Sequence, residues 1–174
     1  MNKIVKFGLS AQGIETAIAA VEEYQRWLKE RSALLLERLA ADGVEIASAR
    51  FAKATYDGTN DVSVSVEAVG INARAIVAIG ASVLFIEFGT GVTYPNNHPE
   101  AAKNGMIRGG YGKGHGNQSA WGYYGEAGTN GKVLRETEKG SLVVTHGNPA
   151  NMSMYETVKE LKLRLPQIVR EVFQ

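Results

Sequence analysis

Cysteine is absent from the 174-residue sequence, which excludes disulfide bonds and thiolate catalysis. Long apolar runs are missing too, because none approaches the roughly 20 residues that a membrane-spanning helix needs. Neither sign of charge is in excess: the formal net charge is +1, so the chain has no overall field for nucleic acid or an acidic membrane. The basic start at residues 1–7 is not followed by the apolar region of a secretory signal. These absences predict one soluble domain over residues 1–174, made in a reducing compartment.

The clearest helix signal runs from about Gln12 to Ala41, with Asp42-Gly43 as its predicted end. Such a helix would be about 45 Å long, more than a small domain covers. Part of its apolar stripe is therefore expected to meet another subunit. A bent or broken helix lying wholly on its own sheet is the alternative. The stripe repeats at alternating helical spacing and consists of Ile14, Ile18, Val21, Leu28, Leu35 and Leu39.

Strand signals follow this helix. Segments 44–52, 62–68 and 73–79 predict three strands joined by short turns, the second with clear alternation of valine and polar residues. Such a series implies an antiparallel meander covered on one face by the long helix. The predicted class is therefore α+β.

Two further elements are predicted near the end of the sequence. Residues 142–144 form a short apolar strand. A last helix begins at Asn151 or Ser153 and runs to Phe173, with an apolar face at helical spacing. Pro166 lies inside that helix and is expected to kink or restart it.

The segment Ala81–Val92 surrounds one carboxylate, Glu87, with large apolar residues. A short helix closed by Gly89 is favoured, with a buried strand as the alternative. A buried carboxylate needs a partner. We expect backbone N–H groups or an arginine, within the chain or across a subunit boundary, to hold Glu87. A general-base role is the alternative, but no nucleophile or second acid is recognisable beside it.

The segment 93–140 is rich in glycine and almost free of aliphatic residues, so it predicts a flexible loop insertion that cannot form a core alone. Its aromatic residues favour a loop that becomes ordered against a partner protein. The alternative is binding of single-stranded nucleic acid by charge and stacking, with Lys103, Arg108 and Lys113. The aromatic residues are Tyr94, Tyr111, Trp121, Tyr123 and Tyr124.

A glycine-rich segment and three histidines resemble a phosphate-binding site and a metal site, but neither has the expected pattern. Gly109–Gly116 looks like a phosphate loop, but no Lys-Ser or Lys-Thr pair follows and no strand and helix flank it. His98, His115 and His146 lack ligand spacing, so we interpret them as solvated or turn residues and expect no metal site. No cofactor is expected.

The motif Phe85-Ile86-Glu87-Phe88-Gly89-Thr90-Gly91 resembles the Y-x-x-(F/Y)-(V/I)-E-F-G-T signature of a family of tailed-bacteriophage morphogenesis proteins. These are neck, head–tail joining or tail-completion proteins, typified by the gene-ten product of a lambdoid phage. The element order is similar as well, and Pro149-Ala150 resembles the family's start of the C-terminal helix. The resemblance covers about residues 12–92 and 145–174. The chain departs from the family near Leu84, where a tyrosine is usual, and in the long segment after Gly91.

The resemblance implies a structural virion protein and not an enzyme. It implies a homo-oligomer, a hexameric ring, at the head–tail junction or tail end, whose lumen would pass DNA. Partners would be head–tail connector, tail terminator or tail tube proteins, and the chain would reside in the host cytoplasm during assembly and then in the virion. We expect the subunit and partner interface to include Glu87, Phe88, Gly89, Thr90, Tyr94, Tyr111, Trp121, Tyr123 and Tyr124.

Overall fold

The structure, a computed structural model, describes residues 4–107, 109–112 and 117–174. It has two long helices, one short helix and two small antiparallel sheets, which confirms the α+β class. The elements are α1 Ala11–Ala52, β1 Ser63–Ala68, β2 Arg74–Ile79, α2 Val83–Phe88, β3 Trp121–Tyr124, β4 Lys132–Thr137, β5 Gly140–Thr145 and α3 Ser153–Phe173.

The first helix is longer than predicted. Ser10 caps its start, because the Ser10 hydroxyl accepts a hydrogen bond from the Gly13 amide at 3.1 Å. The predicted end at Asp42-Gly43 is wrong, and so is the predicted strand over 44–52, since α1 continues to Ala52. Ile46, Ala47 and Phe51 are buried at helical spacing and face the core.

Gly43 lies inside α1, at a point where side chains of β2 and α3 lie close to the helix backbone. A Cβ atom at this position would lie 2.1 Å from Cδ1 of Ile76 and 3.1 Å from Cδ1 of Leu161. A side chain at residue 43 would therefore require the side chains of Ile76 and Leu161 to move. The glycine therefore serves close packing, where the sequence pattern suggested a helix end.

The first sheet is a hairpin of β1 and β2, paired from Ser63 opposite Ile79 to Ala68 opposite Arg74. The strands predicted over 62–68 and 73–79 are confirmed. The predicted three-stranded meander is corrected to two strands, because its first member is part of α1. The C-terminal half of α1 covers this hairpin, as predicted.

The second sheet has the strand order β3-β5-β4 and is antiparallel throughout. The strand predicted over 142–144 is confirmed within β5. The prediction of irregular structure over 93–140 is wrong at β3 and β4, because both strands pair their backbones with β5. The mobility of the remaining loop stays a prediction.

The two later helices begin and end close to the predicted residues. α2 is a helix closed by Gly89, as favoured. The Asp61 carboxylate holds the residues just before α2, because it accepts hydrogen bonds from the Ala81 and Ser82 amides. Hydrogen bonds from Ser82 lower the pKa of Asp61 to about 2. α3 runs to Phe173 without interruption at Pro166, so the predicted restart is wrong.

The core lies where the C-terminal half of α1 meets the hairpin, α2 and the start of α3. Phe51, Ala54 and Ile86 are buried at its centre, and Val64 and Met154 pack against them. The N-terminal half of α1 extends beyond this core.

Candidate functional site

Glu87 is buried in α2 and caps the start of α3. Its Oε2 accepts a hydrogen bond from the Met154 amide at 2.8 Å, and its Oε1 accepts one from the Tyr155 amide at 3.0 Å. Met152, at the N-cap position, offers no side-chain oxygen. The carboxylate therefore satisfies amides that the helix leaves without partners and lies at the positive end of the helix dipole. The prediction that backbone N–H groups hold Glu87 is confirmed.

His98 is the second partner of this carboxylate, and the prediction of a solvated or turn histidine is wrong for it. Its Nδ1 accepts a hydrogen bond from the Glu100 amide at 3.0 Å, so its Nε2 carries the hydrogen and donates to Glu87 Oε1 at 3.1 Å. The ring packs between Phe88 and Tyr155. A residue of the predicted loop is thus part of the core.

The signature segment is joined to residues 148–152 by several hydrogen bonds. Thr90 N donates to Asn148 O at 2.9 Å, and Thr90 Oγ1 donates to Asn148 Oδ1 at 2.6 Å. The Asn148 side-chain amide donates to Phe85 O, and Asn151 N donates to Ile86 O. The two segments that carry the family resemblance therefore form one clasp, which links α2 to the start of α3.

Gly89 makes this clasp possible. Its φ of 79° lies in the left-handed region that favours glycine. A Cβ atom there would lie 2.7 Å from the Ala150 amide nitrogen and 2.8 Å from Asn148 O. Any larger residue would separate the two segments and break the hydrogen bonds between them.

Aromatic side chains line a cavity of about 550 Å³ beside the clasp. Phe85 and Tyr111 stack with ring centroids 6.0 Å apart, and burial raises the pKa of Tyr111 to about 12. The other aromatic lining residues are Tyr56, Phe88, Tyr94, Trp121 and Tyr123.

Asp57 is one of the residues that line this cavity, and it is only 5% exposed. Its Oδ2 accepts a hydrogen bond from the Thr145 hydroxyl. Its Oδ1 is buried and has no hydrogen-bond partner among the described residues. Burial, with the Asp57 charge nearby, raises the pKa of Tyr123. The cavity thus has mainly aromatic walls, and the unsatisfied Asp57 oxygen next to it is closed to solvent.

The structure brings most of the predicted interface residues together. The members that line the cavity are Phe88, Gly89, Thr90, Tyr94, Tyr111, Trp121 and Tyr123. Glu87 lies behind them at the start of α3, with its bonds made inside its own chain, and Tyr124 is exposed on β3. Their contact with another subunit or partner stays a prediction.

Sequence reasoning missed Tyr56, Asp57 and Asn148 as parts of this site. All of them lie in segments with turn composition, where aspartate and asparagine are expected on the surface. No local signal marks them as buried, because their burial arises from packing against the clasp and β5.

The remaining histidines and basic residues lie elsewhere. His146 follows β5 directly and is exposed, with its Nδ1 2.9 Å from Ser119 O, which confirms the prediction of a solvated histidine. Lys103 is exposed. His115, Arg108 and Lys113 lie outside the described residues.

Within residues 4–107, 109–112 and 117–174, no three His, Asp or Glu side chains lie close enough together to hold a metal ion. None of the helices in this described part is both long enough and apolar enough to cross a membrane. No family model matches the sequence, and neither a curated protein nor a solved structure does.

Proposed function

We propose that this chain is a structural, non-enzymatic subunit of a long-tailed bacteriophage and forms a ring at the head–tail junction or tail end. It would assemble in the host cytoplasm, remain in the virion, and contact connector, tail terminator or tail tube proteins. The observation that carries the proposal is the N-terminal half of α1, which projects from the core with an uncovered apolar stripe. The resemblance of the signature segment supplies the phage context.

The length of α1 sets the size of this projection. Its 42 residues span about 63 Å, yet its buried residues begin only at Ala40. Trp27 contacts Phe173 at the end of α3, so residues before Trp27 extend beyond the partner helix. The exposed stripe consists of Ile14, Ile18, Val21, Tyr24 and Leu28.

An apolar stripe of this kind favours contact with a second copy. Burial of a fully exposed isoleucine or leucine contributes roughly 1.5–3 kcal/mol. The isoleucines and the leucine of the stripe are about half exposed, so each would contribute about half of that. A stripe at one end of the molecule that packs on a different surface of the next copy gives a heterologous contact. Such contacts form a ring when the rotation from one copy to the next closes, and an open filament when it does not.

The clasp suits a subunit that must stay rigid when its neighbours exert mechanical force on it. It fixes α2 to the start of α3, while α3 itself packs along α1. Both oxygens of Glu87 are used by backbone amides and His98, so the carboxylate acts as a brace in this account.

Binding of single-stranded nucleic acid is the weaker candidate. Aromatic residues suit base stacking, but here they converge on a cavity with a buried carboxylate at Asp57. A carboxylate repels phosphate, and no described lysine or arginine lines the cavity to offset it. A salt-dependent shift with a single-stranded oligonucleotide would favour this alternative.

The α1 stripe is tested by placing charge on it. We expect Ile14→Lys and Ile18→Lys together to leave the melting temperature of the subunit nearly unchanged, because both side chains are already exposed. The same change should abolish self-association, since it places two ammonium groups in an apolar contact. Sedimentation velocity over a concentration series, with negative-stain imaging, measures both effects.

Ala19→Lys is the matched control, because Ala19 is exposed on a different face of α1. It should associate as the unchanged protein does. The proposal fails if the unchanged protein stays monomeric at every concentration and with its partner proteins, or if the double variant forms the same rings.

A further inference from the structure

One row of side chains along α3 is largely apolar and open to solvent. Val158 is 49% exposed and Leu165 is 38% exposed, and Lys162 is exposed between them. The half-buried Val169 continues the row, since the four residues recur at spacings of four, three and four on one side of the helix. We call this row the α3 ridge. It is about 17 Å long at 1.5 Å per residue.

The α1 stripe has the same repeat and nearly the same length as the α3 ridge. Ile14, Ile18 and Val21 recur at spacings of four and three, and Leu28 continues the row seven residues later. The distance from Ile14 to Leu28 along the helix is about 21 Å. Two helices with apolar rows of this repeat can pack with the side chains of one between those of the other.

The charges beside the two rows are opposite in sign. Residues 11–25 contain no lysine or arginine, and their three exposed acidic residues are Glu15, Glu22 and Glu23. On α3, Lys162 lies within the ridge, whereas Glu160, two residues before it, is already paired with Arg50 and Arg164. The ridge therefore attracts an acidic helix, while contact between two α1 stripes would bring like charges together.

We propose that the N-terminal half of α1 in one copy packs along the α3 ridge of a neighbouring copy. The inference rests on the proposed ring and names the surface that receives the α1 stripe. The isoleucines of the stripe would pack against Val158 and Leu165. The Lys162 ammonium group would lie beside the glutamates of residues 11–25.

The fold prevents the α1 stripe from reaching the ridge of its own chain. α3 runs back along α1, and its last residue, Phe173, contacts Trp27. Val21 and Ile14 precede Trp27 by six and thirteen residues, so they lie about 9 and 20 Å beyond this contact along one continuous helix. Only a second copy can bring a ridge to the stripe. The contact is heterologous, as a ring requires.

Two variants of the full chain each disable one side of this contact. Ile14→Lys together with Ile18→Lys disables the stripe and keeps the ridge, whereas Leu165→Glu disables the ridge and keeps the stripe. The matched control is Leu163→Glu, because Leu163 is 82% exposed and lies on nearly the opposite side of α3 from Leu165. Sedimentation velocity over a concentration series measures each protein alone and the equimolar mixture of the first two.

We expect the stripe variant and the ridge variant each to have an apparent dissociation constant at least about 20-fold higher than the unchanged protein, because a charge enters an apolar contact. Their mixture should form heterodimers and nothing larger, since one intact stripe meets one intact ridge. Leu163→Glu should associate as the unchanged protein does.

Lys162→Glu is a second ridge variant, at an exposed position, and it tests the contact even if Leu165→Glu disturbs folding. It should raise the apparent dissociation constant about fivefold, because it places an acid beside the acidic half of α1.

Association of Leu165→Glu and Lys162→Glu as strong as that of the unchanged protein would overturn the inference, because the stripe would then pack on another surface. A mixture of the stripe and ridge variants that stays monomeric would also overturn it. In both cases the unchanged protein still associates, so the proposed ring is not refuted. An unchanged protein that never associates, alone or with its partner proteins, would refute the inference and the proposed function together.

Discussion

At the residue scale, Glu87 and His98 hold three parts of the chain together. Glu87 belongs to α2, its amide donors to the start of α3, and His98 to the segment after the signature. The role of Glu87 could be predicted, because one carboxylate among apolar residues needs hydrogen-bond donors. The burial of His98 could not, because its neighbours Asn96, Asn97 and Pro99 have turn composition.

Glu87→Ala is therefore expected to destabilise the fold. It leaves the Met154 and Tyr155 amides and the His98 Nε2–H buried without an acceptor, and we expect a loss of about 3 kcal/mol or more in the free energy of unfolding. Glu87→Gln should be milder, because a single amide oxygen can still accept from Tyr155 and His98. Urea denaturation followed by circular dichroism measures these differences.

Glu23→Ala is the control for this series, since Glu23 is exposed on α1. It should change the free energy of unfolding by no more than about 0.5 kcal/mol. Equal free energies of unfolding for Glu87→Ala and Glu23→Ala would show that the Glu87 carboxylate does not stabilise the fold.

At the element scale, the errors of prediction have two physical causes. Gly43 follows an aspartate at the end of a regular apolar stripe, and that pattern also precedes a true helix end. What differs is the approach of β2 and α3, which is set by tertiary packing. β3 and β4 are short, carry few aliphatic residues and take their partner from β5, so no local periodicity marks them.

Replacing residues 96–138 by a linker would remove both strands and His98, so the segment is not a simple insertion.

Gly43→Leu tests the packing explanation. The new side chain would collide with Ile76 and Leu161, so we expect the hairpin and α3 to be forced away from α1. Overpacking of this kind costs typically 1–3 kcal/mol, and thermal melting measures it. Ala41→Leu, at an exposed position of the same helix, is the matched control and should melt as the unchanged protein does. Equal melting of the two variants would contradict close packing at Gly43.

At the scale of the whole molecule, the sequence predicts the class and the two long helices because their apolar stripes are continuous. The sequence also predicts that the aromatic residues of segment 93–140 contact a partner. Their convergence on one cavity with Asp57 depends on contacts between residues far apart in sequence, which no local pattern records. The uncovered stripe on α1 is the surface that a second copy would cover in the proposed ring.

Cryo-electron microscopy of the particles in which this chain is proposed to reside tests the central proposal most directly. The account predicts a closed ring of copies at the head–tail junction or tail end, with the N-terminal half of α1 buried between neighbouring subunits. Particles whose neck and tail contain no density that fits this fold would contradict it.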